Sequence, residues 1–227
     1  RRGALPPGEL GRQILSDIAA GVGVIAKAAR GHTGDKQSDS VDVSVQLGDV
    51  RLRGTVNDLY EKTVFSASYS RLSTKHRISA WVRLLAVVAA TGDTDWNAIT
   101  LGRAADDARA ARRATHSAPE DAAQLLRQLT DVRAAGLREP LPLGLRTSAA
   151  YAENSTWNLD EARQKAREEW TSNGRGSYRK IRENDDSAIR TVYGDDAPFS
   201  TWWDAPAPTD ELWTPDEPSP FVQLALR

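Results

Sequence analysis

Several residue types are absent or scarce in this chain of 227 residues. It has no cysteine, which excludes disulfides and thiolate metal sites. Its three histidines, His32, His76 and His116, are too widely spaced to indicate a histidine-based metal site. No apolar run reaches the roughly 20 residues of a membrane-spanning helix, and no signal-peptide pattern opens the chain. We therefore expect a soluble, cytoplasmic protein that needs no cofactor or metal.

Methionine is absent as well, and charge of one sign does not dominate. Without any methionine, residue 1 does not look like a translation start, so we expect the chain to be part of a longer polypeptide. The 30 Lys and Arg nearly balance the 31 Asp and Glu, for a net charge of −1. The total charge therefore does not call for a nucleic-acid partner, and any such contact would have to come from local clusters.

The hydrophobic pattern predicts an α/β core over residues 1–172. A helix with apolar residues at helical spacing is expected over 9–29, followed by alternating strand patterns over 41–47, 50–56 and 64–70. A helix over 75–90, a strand over 97–103 and a weaker strand over 109–116 complete the series. The residues expected on one face of this helix are Ile78, Trp81, Val82, Leu85 and Val88. The order of helix, three antiparallel strands, helix and strand is that of the restriction-endonuclease-like core, with a mixed sheet flanked by helices.

The C-terminal part of the chain is predicted to be helical and then irregular. Ser117-Ala-Pro-Glu120 has the pattern of a capping box that opens a helix ending near Gly136. Asn158 is expected to cap a second helix that turns Ala162, Ala166 and Trp170 inward. Six prolines and three tryptophans fall between residues 198 and 220. We expect residues 173–227 to be an irregular Pro/Trp-rich extension that packs on the core or on a partner.

Residues 54–90 resemble the active-site region of PD-(D/E)XK nucleases of the RecB type, with the chemistry removed. Such a nuclease has an Asp after a Gly-x-hydrophobic step, an Asp-x-Lys on the next strand and a Gln-x-x-x-Tyr on the helix. At the matching positions this chain has Asn57, serines on the next strand, and Arg77-x-x-x-Trp81. The degenerate positions are Asn57, Asp58, Ser66, Ser68, Ser70, Arg77 and Trp81.

Longer stretches of the chain resemble the C-terminal region of the RecC family, the gamma subunit of exodeoxyribonuclease V, in its actinobacterial form. The segments are Tyr69-Ser-Arg-Leu72, Lys75-His-Arg-x-x-x-Trp-Val-x-Leu-Leu85, Gly136-Leu-x-x-Pro-Leu-Pro142 and Tyr151-Ala. The resemblance implies a part of the RecBCD helicase–nuclease, in which RecB and RecD are the motors and RecB carries the nuclease. It also implies a RecC subunit that splits the duplex and scans one strand for the Chi sequence, with a nuclease-like domain that lacks catalytic residues.

The sequence leaves three functions open. The leading hypothesis is a non-catalytic domain that handles DNA and docks RecB and RecD. Its candidate DNA contacts are Tyr69, Arg71, Lys75, His76, Arg77 and Arg83. These basic residues could equally form a solvated helix start, and Trp81 could belong to the core.

The alternatives are an active magnesium nuclease, with Asp58 as a relocated ligand, and a protein-interaction module without DNA contact. Because side chains alternate along a strand, Asp58 is expected to point away from Asn57. A second basic cluster of Arg109, Arg112 and Arg113 stands next to Asp106 and Asp107, and here we expect surface ion pairs.

Overall fold

The computed structural model describes residues 6–105, 107, 109–171, 182–205 and 219–226. They form two compact units, which divide between Arg127 and Gln128. In these ranges the first unit contains a sheet with helices, and the second is built from helices. No helix in the described part of the chain is both long and apolar enough to cross a membrane.

The first unit is a mixed five-stranded sheet with two long helices. Its elements are α1 (Glu9–Thr33), β1 (Asp39–Leu47), β2 (Val50–Tyr60), β3 (Thr63–Arg71), α2 (Thr74–Thr91), β4 (Asn97–Arg103) and β5 (Ala111–Ser117). The strands lie side by side in chain order, with β3 and β4 parallel and the other neighbours antiparallel. A parallel pair needs a crossover connection, which α2 provides. The predicted α/β class, with a mixed sheet flanked by helices, is confirmed.

The centre of the sheet is covered on both faces. Val64 and Phe65 are both buried, although neighbouring strand residues face opposite sides. On the Phe65 side, α1 contacts the strand through His32, with ring centroids 6.1 Å apart. The other side is packed by α2, whose Leu84, Leu85 and Val87 are completely buried. Burial of these side chains contributes about 1.5–3 kcal/mol each.

The predicted apolar stripe of α1 is buried in one half of the helix and exposed in the other. Ile25 is buried and Gly21 lies on the same buried side, where the helix crosses β3, β4 and β5. Leu10, Ile18 and Val22 are instead 57%, 38% and 42% exposed. Much of the predicted apolar stripe of α1 is thus exposed.

The second unit holds the remaining helices, with α3 crossing the division between the units. The elements are α3 (Ala122–Gly136), α4 (Leu145–Ser155), α5 (Leu159–Thr171), a 3₁₀ turn (Glu183–Asp185), α6 (Ser187–Tyr193), α7 (Ser200–Trp203) and α8 (Pro220–Leu226). The predicted boundary at residue 172 falls inside this unit, directly after α5. Asn158 caps α5 as predicted, since its Oδ1 accepts the N–H groups of Asp160 and Glu161 at 2.9 and 3.2 Å.

An aromatic core fills the second unit. The inward residues predicted for α5, Ala162, Ala166 and Trp170, are fully buried. Trp170 packs on Trp202 with ring centroids 4.1 Å apart, and its indole N–H donates to the carbonyl of Ala197 at 2.8 Å. Trp202 therefore belongs to the core of this unit. Trp213 lies outside the described residues.

A buried carboxylate holds the start of α4. The Oε1 and Oε2 atoms of Glu183 accept the N–H groups of Arg146 and Thr147 at 2.9 and 2.6 Å. Only a glycine fits at residue 144, directly before α4. A Cβ there would lie 2.3 Å from the Trp202 ring and 2.5 Å from Glu183. The free N–H groups of a helix start and its positive dipole end both favour a negative charge there.

One local prediction was wrong, and another was right only in part. Ser117 is the last residue of β5 and opens no capping box, and α3 begins later, at Ala122, with its first backbone bonds to the Asp121 carbonyl. Ile78 is 40% exposed, and Trp81 and Val82 are only partly buried. Leu85 and Val88, the other two residues of the predicted face, are buried as predicted. The buried face of α2 begins at Ala80 and continues through Leu84 to Val88.

Candidate nucleic-acid interface

The candidate nuclease positions on β2 lie at a β-bulge. Val41 pairs with Val56 and Asp39 pairs with Leu59, so two residues of β2, Asn57 and Asp58, stand opposite Ser40 alone. Asp58 has a φ of 59°, in the left-handed region that Asp and Asn tolerate better than other side chains. Regular alternation stops here, so the strand geometry from which the direction of Asp58 was predicted does not apply at this position. The side chains of Asn57 and Asp58 are both exposed.

Arg83 of α2 ties the bulge to the helix. Its guanidinium donates to the backbone carbonyl of Asn57 and lies 3.8 Å from the Asp58 carboxylate. Its side chain is only 28% exposed, whereas that of Asp58 is 66% exposed. Arg83, one of the candidate DNA contacts, is thus engaged within the protein.

The serines on β3 are also bonded internally. The paired residues of β2 and β3 end at Leu59 and Val64, so Asn57 and Ser66 lie where the two strands separate. The Ser66 hydroxyl bonds the Thr100 hydroxyl on β4 at 2.8 Å. Ser68 Oγ accepts the N–H of Ser70 at 3.1 Å, in a stretch where the pairing of β3 with β4 is irregular.

These side chains do not fit the magnesium site of a nuclease. Such a site needs two or three carboxylates that converge on the ion, together with a lysine. Here the Asp58 carboxylate lies 3.8 Å from the guanidinium of Arg83, and an amide and hydroxyls stand at Asn57 and the β3 serines. Across the described residues, no three His, Asp or Glu side chains come together as metal ligands would.

The start of α2 uses one of its basic residues as a cap. Ser73 N–H and Ser73 Oγ lie 3.3 and 2.9 Å from Nδ1 of His76, so this ring closes the first turn of the helix. Arg77 lies near His116 of β5, whose pKa is lowered by burial and then by that positive charge. His76 and Arg77 are therefore both engaged with neighbouring groups of the protein.

Two of the predicted DNA contacts, Arg71 and Lys75, remain available to a ligand, and a third, Tyr69, stacks against an arginine. Arg71 and Lys75 are exposed, and neither side chain makes a hydrogen bond or an ion pair within the described ranges. Tyr69 is partly buried beneath Arg103 of β4, whose guanidinium carbon lies 5.0 Å from the ring centroid. Such a cation–π contact orients the arginine as well as the ring.

The structure adds two arginines to the candidate DNA contacts, although the sequence had predicted ion pairs for them. Arg112 and Arg113 on β5 are exposed and make no ion pair with any described residue. Arg109 pairs with Asp17 of α1 at 3.4 Å, and Asp107 accepts the backbone N–H of Arg109 at 2.8 Å. The expected ion pairs of Arg112 and Arg113 are thus absent among these residues, while Asp106 lies outside them.

Comparison with known proteins decides the family. A family model described as the RecC C-terminal domain matches residues 1–156. The chain belongs to this family. It is 36% identical, over 93% of its length, to proteins named RecBCD enzyme subunit RecC from two strains of Mycobacterium tuberculosis. A protein of the same name from Mycolicibacterium smegmatis is 38% identical over 67% of the chain. The predicted RecC resemblance is confirmed.

The RecC relatives are much longer than this chain. It spans 19% of the length of the Mycobacterium proteins and 14% of the Mycolicibacterium protein. The structure gives physical reasons for two of the segments that carried the RecC resemblance. Gly102 is required because Leu72 lies directly on it, and a Cβ there would be 2.9 Å from Leu72 Cβ. The segment after Gly136 leads into the Gly144 turn beneath Trp202.

Proposed function

We propose that this chain is a domain of a RecC subunit that handles DNA and docks RecB and RecD but does not cut DNA. It would act within the RecBCD helicase–nuclease during double-strand break repair by recombination. The observation that carries the proposal is the set of internal bonds at the nuclease-like positions. Asp58 lies 3.8 Å from the guanidinium of Arg83, and Ser66 is bonded to Thr100, which supports a structural role for both over metal binding.

The element order supports a degenerate PD-(D/E)XK core as the origin of this domain. A helix, three antiparallel strands, a crossover helix and a parallel fourth strand follow one another in this order. In this interpretation the bulge at Asn57 and Asp58 is a remnant of the metal site, since bulges are common beside active sites and re-aim side chains there.

A cleavage assay tests the lack of catalysis. RecC carrying this domain is assembled with RecD and with a RecB whose nuclease site is disabled, and DNA is incubated with Mg²⁺ or Mn²⁺. We expect no cleavage above the metal-free background, and no change on Asp58→Asn. Metal-dependent cleavage that Asp58→Asn abolishes would overturn the proposal and favour the active-nuclease alternative.

A protein-interaction module without DNA contact is the second candidate, and the exposed half of α1 favours it. Leu10, Ile18 and Val22 present an apolar strip where a soluble helix usually places polar residues. Under this alternative, Ile18→Asp weakens assembly of the complex while charge changes on the sheet leave DNA affinity unchanged. Under the leading proposal, the charge changes do weaken DNA binding.

A further inference from the structure

Two arginine groups that are distant in sequence meet at one end of the sheet. The parallel pairing of β3 with β4 places Arg71 opposite Arg103. The antiparallel pairing of β4 with β5 places Arg103 opposite Ala111, and Arg112 follows in the next row. Neighbouring strands lie about 4.8 Å apart, so the Cα atoms of the row of Arg71, Arg103 and Ala111 lie within roughly 10 Å. Arg113 projects from the same face of the sheet as this row, whereas Arg112 projects from the opposite face of the edge strand β5. We call Arg71, Arg103, Arg112 and Arg113 the arginine end of the sheet.

The charges at the arginine end are not neutralised by the described residues around them. Arg71, Arg112 and Arg113 are exposed and make no ion pair there. Arg103 is partly buried, and its guanidinium is held over Tyr69 rather than by a carboxylate. Neighbouring positive charges repel one another, and this repulsion is relieved when an anion binds among them.

The arrangement matches a polyanion better than a small anion. A small anion is usually bound by convergent donors in a pocket, whereas these arginines lie on three adjacent strands. Successive phosphates of one DNA strand are spaced about 3.4 Å along the axis, so the roughly 10 Å from Arg71 across Arg103 to β5 spans about three of them. Arginine also donates two hydrogen bonds in a fork to a phosphate.

We propose that the arginine end binds the sugar–phosphate backbone of a DNA strand, without reading its sequence. This inference rests on the proposed DNA-handling function, and it places the DNA contact away from the nuclease-like positions. The surface is displaced from the bulge at Asn57 and Asp58 to the carboxyl ends of β3 and β4 and the adjoining edge strand β5. Tyr69 acts as a positioning residue that holds Arg103, and Lys75 lies at the start of the neighbouring helix.

The test compares two triple variants in the assembled RecBCD complex, each losing three positive charges. One is Arg71→Gln with Arg112→Gln and Arg113→Gln. The control is Arg30→Gln with Arg51→Gln and Arg53→Gln, which changes exposed arginines on α1 and β2. DNA affinity is measured between low and high salt, and circular dichroism checks that both variants keep their helical content.

We expect the arginine-end variant to flatten the plot of log affinity against log salt by about 2 to 3 units, since each lost phosphate contact removes about 0.7 to 0.9. The control should keep the wild-type slope. An oligonucleotide of permuted sequence should give the same difference, because phosphate contacts carry no base information. Equal changes in both variants, or none in either, would overturn the inference.

Failure of this inference is distinguishable from failure of the proposed function. The salt dependence reports only where the phosphates bind, and the cleavage assay with Asp58→Asn reports only whether the domain cuts. Tyr69→Leu gives a further readout, because it frees Arg103 without changing its charge. We expect this variant to weaken binding while leaving the salt slope steeper than that of the triple arginine variant.

Discussion

Asp58 in the first unit and Glu183 in the second are two carboxylates with opposite surroundings. Asp58 stands at a position of the nuclease-like motif, yet its side chain is 66% exposed and its cation lies 3.8 Å away. Glu183 belongs to no motif, yet it is 6% exposed and accepts two backbone N–H groups. Motif position and structural importance are therefore separate properties in this protein. Burial and donor count identify the carboxylate on which the fold depends.

The largest effect is expected at Glu183. Replacing it with alanine leaves the N–H groups of Arg146 and Thr147 buried without an acceptor, so we expect a loss of about 1–3 kcal/mol in the free energy of unfolding. Urea unfolding followed by tryptophan fluorescence measures this, because Trp170 and Trp202 lie in the same core. Glu161→Ala, on the exposed face of α5, is the matched control. A Glu183→Ala protein as stable as its control would remove the contrast with Asp58.

A smaller effect on stability is expected at Asp58. It depends on the backbone conformation of this residue rather than on its charge. Its φ of 59° is strained for a β-branched residue, so Asp58→Val should lower stability by about 1–2 kcal/mol. Asp58→Gly should retain the wild-type stability or exceed it, since glycine adopts this conformation without strain. Thermal unfolding of the two variants checks the bulge directly. Equal melting temperatures would mean that Asp58 does not adopt the left-handed conformation.

The smallest effect is a pH dependence at His116. Burial, and then the charge of Arg77, lowers the pKa of this imidazole from its ordinary value of 6.5. The neutral form is favoured in the folded state, so its contribution to stability is complete above the ordinary pKa. That contribution is lost as the pH falls through the lowered folded pKa. An NMR titration of the ring protons should give a value below 6.5, and Arg77→Gln should raise it. A titration at or above the ordinary value would contradict the burial.

Much of the first unit follows from local sequence patterns. Alternation predicts β1, and β4 has the predicted limits, Asn97–Arg103, because both are ordinary strands with one or two buried faces. The Asn158 cap and the inward face of α5 were equally predictable, since capping and helical spacing act within a few residues.

The remaining features depend on contacts between distant residues. Helix α4 was not predicted, because its first turn is completed by Glu183, 36 residues beyond Thr147. The bulge at Asn57 leaves no local pattern, since the extra residue is defined only by the pairing with β1. The meeting of Arg71 with Arg103 likewise depends on the parallel pairing of β3 and β4, which no local spacing encodes.

The position of α1 has a consequence for the order of folding. This helix comes first in the chain but packs on β3, β4 and β5, the last of which ends at Ser117. Its docking therefore closes a long loop, and the entropy of that closure must be met by contacts that form only after the sheet exists. During synthesis α1 leaves the ribosome well before its docking surface, so its apolar stripe is exposed longest. We expect α1 to be the last element of the first unit to gain protection from amide hydrogen exchange.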